Sequence, residues 1–429
     1  MLASPVSRRS FLGSGLAGGA LLALPAAVYR SALLAADPPS ERVRIGCIGV
    51  GGQGTANMRK FLKSVTAVCD VDTKHLATAA GEVEKGSGKK PATFADYRKL
   101  LESKEVDAVC ITTPDHWHAL MTVHACEAGK DVYVEKPLTL TVAEGRTMVA
   151  AARKHKRMVQ TGSQQRSDAR FRQACELVRK GFLGNIKTVL VGLPKPNWTA
   201  KAMTPAPDAA PPVELDYDLW LGPAPERKYN VHRVHYLFRF FWDYSGGQQT
   251  NFGAHHLDIT QWALGMDDSG PTSIEGTAKF HPQGWYETPD TTDITYAYAG
   301  GVVVKCGQGY KGGCTFEGEK GTLFVDRGKI EVTVNGEKLD TAKLGSGGDI
   351  KLTASGNHHQ NWLDSVKSRQ LPIADVEIGH RSATVCHLGN IAVRTGKKLT
   401  WDPKAETFVG DADAAKLLTK QYRKPWSLG

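Results

Sequence analysis

No Cys-x-x-Cys pair and no Cys/His set at metal-binding spacing occurs among the 8 cysteines and 14 histidines of this 429-residue chain, which excludes zinc modules and dithiol redox motifs. Lys and Arg number 54 against 44 Asp and Glu, but the basic residues form no block and no base-stacking module accompanies them. The formal charge of +10 therefore describes a solvated basic surface, and no nucleic-acid partner is expected. Beyond residue 36 no apolar run approaches the about 20 residues that cross a bilayer, so stable membrane insertion is not expected either. No internal repeat is visible.

What is present begins with an export signal. Ser7-Arg8-Arg9-Ser10-Phe11-Leu12 resembles a twin-arginine motif, followed by the mildly apolar Gly13–Leu24 and a small-residue cleavage site near Ala35-Ala36. Residues 1–36 are thus expected to engage the twin-arginine export machinery and to leave a periplasmic mature protein. That route carries folded proteins, so any cofactor the chain binds would be loaded in the cytoplasm, held tightly and recycled on the protein. Cys47, Cys69 and Cys110 fall in strand-like runs, where a thiol packs as a small hydrophobe. Cys306 and Cys314 flank a hairpin-like span and form the one candidate disulfide for an oxidising compartment.

The length predicts two domains. Residues 42–162 alternate strand-like and helical runs, the pattern of a parallel sheet covered by helices. Residues 163–400 add helices, a proline-rich passage over Pro194–Pro225 and alternating runs that predict a mostly antiparallel sheet. Late helices are expected over Gln360–Ser368 and Arg381–Thr395; the tail, 401–429, carries no signal.

The chain is organised around Val43–Gly54, an apolar strand that runs into Gly49, Gly51 and Gly54 and then a helix. In this G-x-G-x-x-G spacing the first glycine permits the tight turn, the second lets a pyrophosphate approach, and the third allows close helix–strand packing. Gln53 lies within the same turn. Asp70 ends the next strand-like run, about 20 residues on, where a carboxylate meets the adenosine ribose hydroxyls. An acid there predicts NAD rather than NADP, because a 2′-phosphate would face a negative charge.

Three further stretches bear polar groups suited to chemistry. Thr112–His118 (TTPDHWH) follows a buried strand, and Thr113, Pro114, His116, Trp117 and His118 are candidates for the nicotinamide ribose and ring. Glu135-Lys136-Pro137 follows the next strand; a partly buried lysine there can hydrogen-bond a substrate hydroxyl and the ribose, so Glu135 and Lys136 are also candidates for cofactor binding. In the second domain, Asn251, His255, His256 and Asp258 cluster after a glycine turn, ahead of a helix at Ile259–Leu264. His255 is a credible proton carrier, and Asp258 is placed to orient an imidazole or to cap the helix. A metal held by this cluster is disfavoured, since no further ligand stands at a fixed spacing.

Together the glycine motif, Asp70, TTPDHWH, Glu135-Lys136-Pro137 and the G-x-H-x-x-D of Gly253–Asp258 resemble the Gfo/Idh/MocA oxidoreductases, across essentially the whole mature chain. The resemblance implies a Rossmann NAD(P)-binding domain, a C-terminal α/β domain whose large, mostly antiparallel open sheet often mediates homo-oligomers, and a sugar or polyol substrate. It also implies that Lys136 and His255 flank the carbon that loses hydride. His255 would accept the hydroxyl proton and Lys136 would stabilise the alkoxide. One departure stands out: sugar dehydrogenases of the family carry aspartate where this chain has Asn251, and an amide cannot take a proton. Two alternatives share the NAD site: a redox-neutral NAD-dependent glycosidase, and a non-catalytic carbohydrate- or NAD-binding protein.

Overall fold

A computed structural model describes residues 42–196, 206–345 and 350–428. The twin-arginine segment and part of the proline-rich passage lie outside the described residues.

Six short apolar runs build the first sheet: β1 (Ile45–Ile48), β2 (Val65–Cys69), β3 (Ala92–Phe94), β4 (Ala108–Ile111), β5 (Asp131–Val134) and β6 (Val159–Thr161). All pair in parallel, in the order β3-β2-β1-β4-β5-β6. β1, β4, β5 and β6 are buried at every residue, as strands covered on both faces must be. The order reverses between β1 and β4, which opens a crevice at the carboxyl ends of these strands. The glycine turn, Thr112–Pro114 and Glu135-Lys136 all lie at that edge.

The second sheet contains β7 (Ile186–Gly192), β8 (Ser273–Lys279), β9 (Thr291–Ala297), β10 (Val303–Gly307), β11 (Gly313–Gly318), β12 (Gly321–Asp326), β13 (Lys329–Val334), β14 (Glu337–Leu339), β15 (Leu399–Asp402) and β16 (Thr407–Phe408). Their order is β14-β13-β12-β11-β7-β10-β9-β8-β15-β16; only β7 and β10 pair in parallel. The disulfide expected between Cys306 and Cys314 does not form, and both thiols are free and buried. β10 and β11 are not a hairpin, because β7 lies between them and Val191 faces both cysteines. Two strand spacings of about 4.8 Å separate the pair, beyond the about 7 Å that a disulfide spans.

Later chain segments return to the first sheet. The helix His358–Ser368 sets Trp362 against Phe61 and Tyr133. The helix Val376–Thr395 begins before the expected Arg381, because the Asp375 side chain accepts the Glu377 N–H and caps it. The tail, silent in sequence, supplies the end of β15, β16 and Trp426, whose ring meets Trp117 edge-on at 4.9 Å. Among the described residues no helix is long and apolar enough to cross a membrane.

Candidate functional site

A cavity of about 680 Å³ runs along the carboxyl edge of the first sheet and is closed on its far side by the second half of the chain. Its floor is the glycine turn. Gly49 has φ +76, and a Cβ on Gly54 would stand 1.8 Å from the Gly49 carbonyl oxygen. Gly51 and Gln53 line the cavity at the start of the helix Gly52–Lys60, whose free N–H groups favour a phosphate. Asp70 also borders the cavity; its carboxylate accepts the N–H groups of Val50, at 2.8 Å, and Asp72, at 2.9 Å. Gly54→Ala is expected to overpack this junction by about 1–3 kcal/mol. Dinucleotide retained through purification should fall by ~10-fold; unchanged retention would refute the tight-turn role.

Thr113, Pro114 and Trp117 line the cavity as expected, whereas His116 and His118 do not. The helix Asp115–Glu127 includes both residues, and helical rotation turns their imidazoles inward. His116 Nε2 lies 3.0 Å from the Trp220 carbonyl, and burial pushes its pKa down to about 3. His118 bridges the Thr113 and Pro137 carbonyls at 2.9 Å each, so it braces two loops of the site without facing a ligand. Asp115 itself lines the cavity, buried and hydrogen-bonded by the Ser245 hydroxyl; its place as the first helical residue gave no separate sequence signal.

Lys136 meets the second half of the chain directly. Its Nζ donates to the Asn251 carbonyl at 3.0 Å and to Asn251 Oδ1 at 2.9 Å. Burial lowers the Lys136 pKa from its ordinary 10.5, while Glu135 opposes the shift. Glu135 accepts from Asn57 at 3.0 Å and from Gln164 at 2.9 Å, so it fixes the loop that presents the lysine. Asn251 therefore orients the Lys136 ammonium without adding a negative charge. Asn251→Asp is expected to raise the Lys136 pKa and move the alkaline limb of the pH–rate profile upward; an unmoved limb would rule out this coupling.

His255 is 7% exposed, lines the cavity and has a buried Nδ1 with no hydrogen-bond partner among the described residues. Burial, reinforced by Lys136, holds its pKa well below 6.5, so the ring is neutral. His256 and Asp258 leave the site. The sequence Gly253–Leu264 is one helix, which points His256 Nδ1 at the Gly192 carbonyl, 2.9 Å away. Asp258 is turned into a buried ion pair with Arg166, at 2.8 Å, and neither orients an imidazole nor caps a helix. Sequence reasoning also missed Gln165, whose buried Nε2 and Oε1 lack partners beside the cavity; no motif surrounds it.

Two family descriptions match the chain: the oxidoreductase family NAD-binding Rossmann fold over residues 43–163, and the oxidoreductase family C-terminal alpha/beta domain over residues 168–428. The chain belongs to the Gfo/Idh/MocA oxidoreductase family. Among curated relatives, a glycosyl hydrolase family 109 protein of Shewanella sp. (strain ANA-3) is 35% identical over 162 residues, 33% of this chain and 36% of the relative. An alpha-N-acetylgalactosaminidase of Shewanella oneidensis is 37% identical over 115 residues, 25% of each chain. The matches thus span about a third or less of those relatives' length. Among solved structures, the WlbA dehydrogenase from Bordetella pertussis, in complex with NADH and UDP-GlcNAcA, superposes with a TM-score of 0.63 at 19% identity, covering 84% of this chain and 99% of that one. An aldose-aldose oxidoreductase from Caulobacter crescentus, complexed with glycerol, gives 0.61 at 18% identity, covering 84% and 100%. These likenesses show the fold.

The cavity of this Gfo/Idh/MocA chain fits NAD on its own evidence. The glycine cradle takes a pyrophosphate, Asp70 disfavours a 2′-phosphate, and Thr113 and Gln165 line the wall.

Proposed function

We propose that the protein uses tightly held NAD to oxidise a secondary hydroxyl of a sugar, polyol or glycoside. The observation that carries this reading is the pairing, in one cavity, of the half-buried Lys136 ammonium with the neutral imidazole of His255. NAD, when bound, supplies the hydride acceptor. His255 accepts the hydroxyl proton, and Lys136, oriented by Asn251, stabilises the developing alkoxide. Walls of apolar and aromatic side chains, including Trp117, Trp220 and Phe252, exclude water from the reacting carbon. The test is to purify the protein without added nucleotide, denature it, quantify released NAD, and then assay sugars and glycosides for bound NADH. Near-stoichiometric NAD supports the reading; a protein that is empty and binds no added NAD overturns it.

The working protonation states set the pH dependence. His255 acts as the neutral ring, and its depressed pKa keeps it neutral as pH falls through 6.5. Lys136 acts as the cation, and its depressed pKa removes that cation before pH 10.5 is reached. kcat/KM should accordingly show no acidic limb near 6.5 and an alkaline limb below 10.5. A limb centred at 6.5 would remove His255 as the base.

The glycosyl hydrolase names of the curated relatives favour a second reading, in which the oxidation is transient and serves glycoside cleavage. Oxidation of a ring carbon acidifies its neighbour, which loses a proton as the aglycone is eliminated; water then adds across the new double bond, and the hydride returns to the carbonyl carbon. Release of p-nitrophenol from an α-N-acetylgalactosaminide with no net nicotinamide absorbance change would establish it. We further propose periplasmic export through residues 1–36, checked by an N-terminus beginning after Ala36, and a homo-oligomer, checked by light scattering.

A further inference from the structure

We propose that Asp72, His75 and His235 form a divalent-metal site of the zinc class, which staples the segment carrying His235 to the start of the helix Thr73–Ser87 at the mouth of the cofactor cavity. The three ligating atoms lie within 4.8 Å of one another. His235 Nε2 stands 3.6 Å from Asp72 Oδ2, and the two imidazole rings meet edge-on at 4.9 Å. The first contact is too long for a hydrogen bond, so the groups are gathered without satisfying one another. Asp72 Oδ1 is occupied in capping the helix, accepting from Lys74 at 2.8 Å and His75 at 3.1 Å, which leaves Oδ2 for an ion.

Two imidazoles and one carboxylate, with a fourth position open, match zinc and neighbouring first-row divalent ions. Bonds of about 2.0–2.2 Å in tetrahedral geometry place ligand atoms about 3.3 Å apart. Rotation of the two histidines, 35% and 46% exposed at their side chains, closes the remaining distance. The backbone beside Asp72 is held on the same side by the preceding segment: Thr73 N–H donates to the Glu214 carbonyl and Asp216 N–H to that of Val71, each at 2.9 Å. Both histidines line the cavity, and the His75 ring lies 2.8 Å from where a Cβ on Gly51 would be. An ion would thus fix a ring against the phosphate turn and hold the overlying segment closed. The metal site is independent of the catalytic proposal; only its effect on NAD rests on that reading.

The test uses the mature protein with its bound nucleotide, treated with EDTA and desalted, then titrated with Co²⁺ by its visible ligand-field bands and with Zn²⁺ by calorimetry. The expected result is one ion per chain with a dissociation constant of ~10 µM or tighter, weakened at least ~10-fold in His75→Gln and in His235→Asn. Asn suits position 235 because its φ is 55, in the left-handed region. No binding tighter than ~1 mM, or equal binding by both variants, overturns the site. Zn²⁺ should also slow NAD release by ~10-fold; an unchanged rate with the ion bound overturns the staple. A chain without NAD that still binds Co²⁺ overturns the cofactor reading alone.

Discussion

Lys136→Ala is expected to lower turnover by ~10²-fold or more, the scale of a lost acid–base or electrostatic partner, while NAD released per chain stays unchanged. The two effects separate because Lys136 bridges to Asn251 on the opposite wall, whereas the glycine turn and Asp70 hold the other end of the cavity. Arg239 and Arg327 border the cavity too, but a guanidinium is planar and cannot replace a half-buried ammonium at the apex of two hydrogen bonds to one residue. His255→Ala should cost a similar factor, and the double variant little more, since both act on one proton and one oxygen. Single-turnover reduction of bound NAD measures this directly. A rate near that of the unaltered protein in Lys136→Ala would end the assignment.

The first half of the site was legible because its physics is local. Strands buried on both faces read as apolar runs, and a phosphate turn needs glycine at fixed offsets, so β1, Gly49–Gly54 and Asp70 announce themselves together. The second half was legible in composition but not in direction. His255, His256 and Asp258 cluster in sequence, yet a helix rotates each residue by about 100° from the last. His255 therefore faces the cavity, His256 the Gly192 carbonyl, and Asp258 the interior. The same rotation withdrew His116 and His118. Cys306 and Cys314 misled because strand order in the large sheet does not follow chain order. Gln165 and Trp426 act through contacts distant in sequence, and no local pattern encodes those.

Asp258→Ala is expected to cost about 3–5 kcal/mol, because it strips a buried arginine of its main counter-charge. Arg166 and Asp258 are each 1% exposed at the side chain, and both Nε and Nη2 of the guanidinium reach the carboxylate. Ser382 Oγ donates to Asp258 Oδ1 at 2.6 Å and would lose its acceptor as well. Asp267, at 2.7 Å from Arg166 but 29% exposed, is too hydrated to compensate fully. The pair has a position that matters for function: Arg166 follows Gln164 and Gln165 on the cavity wall, and Asp258 lies one turn beyond His255 on its helix. It therefore fixes the His255 helix relative to the carboxyl edge of β6, and the variant should lose NAD-linked activity as the fold loosens. Denaturant midpoints of Asp258→Ala and Asp267→Ala decide the matter. Asp267→Ala, which leaves the bidentate pair intact, should lose only about 1 kcal/mol. If the two variants are equally stable and only Asp258→Ala is inactive, the carboxylate acts in the chemistry rather than in holding the two walls together.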